Sequence, residues 1–226
     1  MEKDKTHSLV NIPVGEVVLK GNLVIPKDPV GLVIFSHGSG SSRLSPRNNF
    51  VAGKLNDQHF ATLLFDLLTP EEDSIYENRF DIELLTERLA EATHWIAKQP
   101  ELEGLQLGYF GASTGAAAAL VAGAKRADSV YAIVSRGGRP DLAAGALPHV
   151  RAPTLLIVGG NDVPVIEMNK RAMKDLRADN RLAIVPGATH LFEEPGALEE
   201  VARLAGNWFL RYVHRTRRQP VTGLKS

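Results

Sequence analysis

The run Gly111-Ala112-Ser113-Thr114-Gly115 sets a hydroxyl between two glycines, directly after the apolar stretch 105–110 and before an alanine-rich segment. Gly-x-Ser-x-Gly between a strand and a helix marks a sharp turn that lifts the serine clear of a sheet and holds it at a helix N-terminus. A serine placed there can act as a nucleophile. Its hydroxyl is weak at neutral pH and needs a base to take its proton, with a carboxylate to orient that base. Both follow in chain order, each after an apolar run: 154–158 leads into Gly159-Gly160-Asn161-Asp162, and 182–185 leads into Pro186-Gly187-Ala188-Thr189-His190. Ser113, Asp162 and His190 therefore read as nucleophile, orienting acid and general base. Of seven histidines only His37 and His190 directly follow strand-like runs. His37 lies upstream of the serine, the wrong order for the base, and reads as shaping the loop Ser36-His37-Gly38-Ser39-Gly40. Acyl-transfer chemistry also needs preorganised donors for an oxyanion, and the backbone N–H groups of Ser39 and Thr114 are the expected pair. Asp141, after the run 130–135, is the rival acid, although an Asp there could simply cap a helix that follows Pro140.

These residues need a scaffold, and the chain supplies one. Two β-branched runs, 9–14 and 17–25, are split by Gly15 and closed by Pro26, which predicts an antiparallel hairpin. Thereafter short apolar runs recur at 32–36, 61–66, 105–110, 130–135, 154–158 and 182–185. Runs this continuous predict strands buried on both faces of a parallel sheet. Helices are expected at 49–59, 78–99, 114–124, 165–176 and 197–212, the clearest being 78–99, where Ile82, Leu85, Leu89, Ala92 and Ile96 recur at spacings of three and four. Alternating strand and helix give a doubly wound, mostly parallel α/β sheet of about eight strands with an N-terminal antiparallel hairpin. All 226 residues fit one such domain.

Composition narrows the chemistry further. Cysteine is absent, which excludes disulfides, thiolate metal sites and a Cys nucleophile. Twenty-six basic residues balance 26 acidic ones, so no broad field favours nucleic acid or an anionic membrane. The basic run 214–218 reads as the end of the last helix and a frayed tail. No apolar run nears the ~18 residues of a membrane span, and the N-terminus has no apolar signal core, so a cytoplasmic location is the expectation. Neither a metal nor a nucleotide cofactor is expected, since no His-rich ligand spacing or phosphate loop occurs.

Taken with the motifs Ser36-His-Gly-Ser-Gly40, Gly111-Ala-Ser-Thr-Gly115, Gly159-Gly-Asn-Asp162 and Gly187-Ala-Thr-His190, the chain from about residue 31 to 210 resembles the small, lidless α/β-hydrolases of the dienelactone hydrolase-like branch. The resemblance implies the fold and the triad. Dienelactone hydrolases proper carry Cys where this chain has Ser113, so lactone specificity is not implied. Some similar chains are attached to phosphoribosyltransferase domains. The interval 136–153 is too short for a cap domain, which predicts an open site suited to a small acyl substrate, whether ester, thioester or lactone. An acyltransferase or peptidase using the same residues, and a catalytically idle binding protein of the same fold, remain open alternatives. Arg136 and Arg139, on the Gly-rich loop after the run 130–135, are candidates to hold a carboxylate or phosphate of the substrate. The oligomeric state is not legible.

Overall fold

The computed structural model describes residues 5–213, so the basic run 214–218 lies outside the described residues. Eight strands form one sheet: β1 Lys5–Val14, β2 Val17–Pro26, β3 Gly31–Ser36, β4 Phe60–Phe65, β5 Leu107–Ala112, β6 Val130–Arg136, β7 Thr154–Gly159 and β8 Asn180–Val185. Their spatial order is β1-β2-β4-β3-β5-β6-β7-β8. The hairpin β1–β2 joins β4 antiparallel, and all pairings from β4 to β8 are parallel. From β3 the chain crosses first to β4 on one side and later to β5 on the other. The carboxyl ends of β3 and β5 therefore border a topological switch point, where open α/β sheets bind ligands. This is the α/β-hydrolase architecture, with an N-terminal hairpin and helices on both faces.

The residues that build these elements explain their placement. Strands β3, β4, β5 and β7 are buried at every position, as expected of strands covered on both faces. One apolar layer packs the helices α3 Ile82–Ile96, α4 Thr114–Lys125 and α5 Val163–Asp175 on one face. The other sets α1 Pro46–Asp57 and α6 Ala197–Tyr212 against Val33, Phe35, Phe110 and Val134. Leu85, Leu89, Ala92 and Ile96 of α3 are all buried, and each large apolar side chain so placed is worth about 1.5–3 kcal/mol. The Thr93 hydroxyl meets Tyr109 Oη at 2.8 Å, pinning α3 to β5 just below the serine turn.

Boundaries differ from the sequence reading for local reasons. Helix α1 starts at Pro46, not 49, because Ser45 caps it through Asn48 N–H and Pro46 takes the first helical position. Helix α3 starts at Ile82, not 78, since Asp81 accepts the Leu84 N–H and residues Tyr76–Phe80 form a separate 3-10 turn. It ends at Ile96, because Pro100 disfavours helical backbone at Gln99. Strand β5 starts at Leu107, since Leu105 N–H closes a turn onto Leu102 O. The short helix α2 Pro70–Asp73, held by a capping box between Thr69 and Glu72, was not expected at all. Between β6 and β7 lies only a 3-10 stretch, Pro140–His149, in keeping with the expected lack of a cap. Among the described residues no helix is long and apolar enough to cross a membrane.

Candidate active site

Ser113 links β5 to α4 with φ 51° and ψ −121°, a backbone conformation that L-residues rarely adopt. Packing forces it there. A Cβ on Gly111 would lie 2.4 Å from Ala116 Cα, and one on Gly115 would lie 2.2 Å from Ser36 O, so both flanks admit only glycine. The turn is tied by Ser113 N–H donating to Arg136 O at 3.2 Å and by Arg139 N–H donating to Ser113 O at 3.2 Å. None of these bonds uses the serine hydroxyl, which leaves that group at the N-terminus of α4.

The loops after β7 and β8 are joined to each other. Asn161 N–H donates to Ala188 O at 2.9 Å, and Asn161 Nδ2 donates to Gly187 O at 2.8 Å. This joint places Asp162 Oδ2 2.7 Å from His190 Nδ1. The acid is sheltered, with its side chain 13% exposed, while the imidazole is 39% exposed and reachable by substrate. Thr189 N–H, donating to Glu194 Oε1 at 3.0 Å, steadies the histidine loop. His190 also lies against the segment that anchors Ser113: a Cβ on Gly137 would sit 3.4 Å from His190 Cε1, and the neighbouring Arg136 O accepts the Ser113 N–H. The serine turn and the Asp162–His190 pair thus both border the end of β6. The rival Asp141 is engaged elsewhere. It holds Arg139 in a fork, Nε to Oδ1 at 2.9 Å and Nη2 to Oδ2 at 2.8 Å, and that guanidinium keeps its carboxyl below the usual range. The same contact engages Nε and Nη2 of Arg139, the second arginine named as a candidate for a substrate anion.

Ser39 and Thr114, expected as paired backbone donors, do lie side by side, but the Ser39 N–H donates to Thr114 Oγ1 at 2.9 Å. His37 braces this loop. Its Nδ1 meets Gly38 O at 2.9 Å, and its Nε2 accepts the Leu67 N–H at 3.0 Å, an arrangement that requires the neutral ring. Burial pushes its pKa down, with the Gly38 carbonyl and the charges of Asp66 and Asp73 pulling partly back. The unfolded chain, with an ordinary His near pH 6.5, then binds the proton first, so stability is lost as pH falls below that value. Urea titrations at pH 7.5 and 5.5 should show the wild type losing up to about 1.4 kcal/mol per pH unit more than His37→Gln, whose amide oxygen can still accept from Leu67. Equal pH slopes in the two proteins would contradict this.

Arg136, the other candidate for a substrate anion, is largely buried. It is 8% exposed, and among the described residues no carboxylate pairs with it. Its Nη2 donates to Asn48 Oδ1 at 3.3 Å, its Nε is buried without a partner, and its Cζ lies 5.7 Å from the centre of the Phe192 ring. Burial, and then the nearby Arg47 charge, bring its pKa down to about 10, which keeps it cationic at neutral pH. Arg47 bridges to Glu193 at 2.9 Å and so ties the start of α1 to the histidine loop. The sequence reading missed Arg47, Asn48 and Phe192 as neighbours of Arg136. The Ser45-Pro46 helix start was the signal that could have placed the first two. Among the described residues no group of three or more His, Asp or Glu side chains is arranged to hold a metal.

Known proteins share this fold. Two curated Mycobacterium tuberculosis proteins that carry a phosphoribosyl transferase name are 57% identical over 204 residues, 90% of this chain but 46% of theirs. The chain thus spans about half the length of these relatives. The crystal structure of a dienelactone hydrolase from Anabaena variabilis is 58% identical and superposes with a TM-score of 0.90 over 93% of this chain and 100% of the other. Est1E from Butyrivibrio proteoclasticus, 16% identical with a TM-score of 0.79 over 91% of this chain and 98% of its own, shares the fold. The model of the Dienelactone hydrolase family matches residues 19–213, and on that match the chain belongs to the dienelactone hydrolase family.

Proposed function

We propose that the protein is a serine hydrolase that cleaves a small carboxylic ester, thioester or lactone through an acyl-enzyme on Ser113. Two observations support this reading: a serine in a strained strand-to-helix turn, and a histidine whose Nδ1 is 2.7 Å from a sheltered carboxylate. Asp162 fixes the tautomer that leaves His190 Nε2 free to accept a proton. As Ser113 Oγ adds to the substrate carbonyl, its proton passes to Nε2, and the carbonyl π pair moves onto oxygen. Collapse expels the alcohol or thiol, which takes the proton from His190. Water, activated by the same nitrogen, then attacks the acyl-enzyme and releases the acid. The phosphoribosyl transferase name of the curated relatives is read as belonging to the part of those chains that this one does not span.

A buried cation without an internal counter-charge is costly, and an anion arriving with the substrate would offset that cost. The reading is that Arg136 holds a carboxylate or phosphate of the acyl substrate near the serine. A charged hydrogen bond of this kind is worth ~1.5–3 kcal/mol, so Arg136→Ala should lower kcat/KM for a short acidic ester by about 10- to 100-fold. The neutral analogue should change only a few-fold. Initial rates on a matched pair, such as a succinate half-ester and its methyl diester, test this, and equal losses on both would remove Arg136 from substrate recognition.

A further inference from the structure

The contact between Ser39 and Thr114 has a chemical consequence that rests on the serine hydrolase reading. Thr114 is the first residue of α4 and is 2% exposed. Its backbone N–H is one of the four that a helix leaves without an intrahelical partner. Its hydroxyl oxygen accepts the Ser39 N–H at 2.9 Å, so one lone pair is filled by a donor from the opposing loop. The hydroxyl proton, by contrast, has no acceptor among the described residues. A buried O–H in contact with a donor and lacking an acceptor is an unfinished hydrogen-bond chain. Thr114 follows the serine directly in the chain, and the loop that carries Ser39 runs against it, since a Cβ on Gly38 would lie 3.0 Å from Ser113 Cβ.

We infer that the Thr114 hydroxyl is a catalytic donor of the oxyanion hole, charged by the Ser39 N–H behind it. In the resting site Ser39 N–H donates to Thr114 Oγ1, which orients the Thr114 proton away from Ser39. When Ser113 adds to the acyl carbon, the new oxyanion accepts from Thr114 N–H and from Thr114 Oγ–H together. The Ser39 N–H polarises the hydroxyl, and this chain of two donors strengthens as negative charge develops. One side chain thereby replaces a direct bond from the loop with a relayed one. The hydroxyl acts on the transition state, so its removal should appear in kcat and leave KM nearly unchanged.

The test compares Thr114→Val, which keeps the β-branched shape, with Thr114→Ser, which keeps the hydroxyl. On a small activated ester the Val variant should lose on the order of 10² in kcat with KM within about twofold, and Ser should stay within about threefold of wild type. Binding of phenylboronic acid, which forms a tetrahedral adduct on serine, should weaken in Val roughly in parallel with kcat. Melting temperatures identify any variant that fails to fold, and the Ser variant keeps the question answerable in that case. A Val variant with undiminished or raised kcat would overturn the inference, because the hydroxyl would then be blocking Ser39 N–H. So would a loss in Val that Ser does not restore. If Ser113→Ala retains activity, the nucleophile reading fails; if Ser113→Ala is dead while Val is normal, only this inference fails.

Discussion

Replacing Ser113 by alanine is expected to lower kcat by about 10⁴- to 10⁶-fold while leaving the protein folded. The size follows from the proposed chemistry: without Oγ no acyl-enzyme forms, and only binding and oxyanion stabilisation of a direct water attack remain. The fold should survive because every bond that holds the turn is made by backbone. Ser113 N–H reaches Arg136 O, and Ser113 O accepts from Arg139 N–H and Ala116 N–H. Alanine meets the positive φ with the same Cβ that serine carries, so it adds no new strain. Steady-state rates on an activated ester, paired with a thermal melt, check both halves. A folded mutant that keeps more than about a tenth of wild-type turnover would remove Ser113 from the chemistry.

The second large effect is expected at Asp162. Asparagine preserves its shape but offers an N–H or a neutral oxygen to His190 Nδ1, so the tautomer that leaves Nε2 basic loses its support. A fall in kcat of about 10³- to 10⁴-fold is expected. Stability should change little, because Asp162 stands at the start of α5 without capping it through its side chain. Asp141→Asn is the matched control. It disturbs a partly exposed fork with Arg139, worth little in either stability or rate, and turnover should stay within about threefold. Kinetics on the two variants side by side decide the matter: a crippled Asp141→Asn beside an active Asp162→Asn would move the acid to the end of β6.

Much of this arrangement was legible because it obeys local rules. Continuous apolar runs marked the buried parallel strands, and the hairpin at Gly15 marked the antiparallel edge. The glycines around Ser113 are required by backbone contacts to Ala116 and Ser36, which is why a five-residue pattern could point to a turn. The meeting of Asp162 and His190 followed from chain order and strand ends alone. What stayed hidden depends on side chains reaching across the fold. Arg136 was read as a candidate to hold a substrate anion. That it lies between Asn48 and Phe192, with no acid paired to it among the described residues, is set by where α1 and the histidine loop converge, residues far apart in the chain. Arg139 looked equivalent to it, yet two residues of spacing to Asp141 gave it a local fork. The Thr114 hydroxyl was passed over because the motif assigns meaning to the backbone at that position, not to the side chain. Helix α2 was missed although Thr69-Pro70-Glu71-Glu72 carries a capping box with proline at its first helical position.

Covalent trapping decides whether Ser113 is a nucleophile activated by His190. The wild-type protein is incubated with a fluorophosphonate, intact mass is followed with time, and the adduct is located by peptide mapping. A single adduct per chain, located on Ser113, is expected. It should be absent from Ser113→Ala and formed at least about 10²-fold more slowly in His190→Ala, which lacks the base. A wild-type protein that folds but takes up no probe, or that carries the adduct on another residue, would mean that Ser113 is not the activated nucleophile.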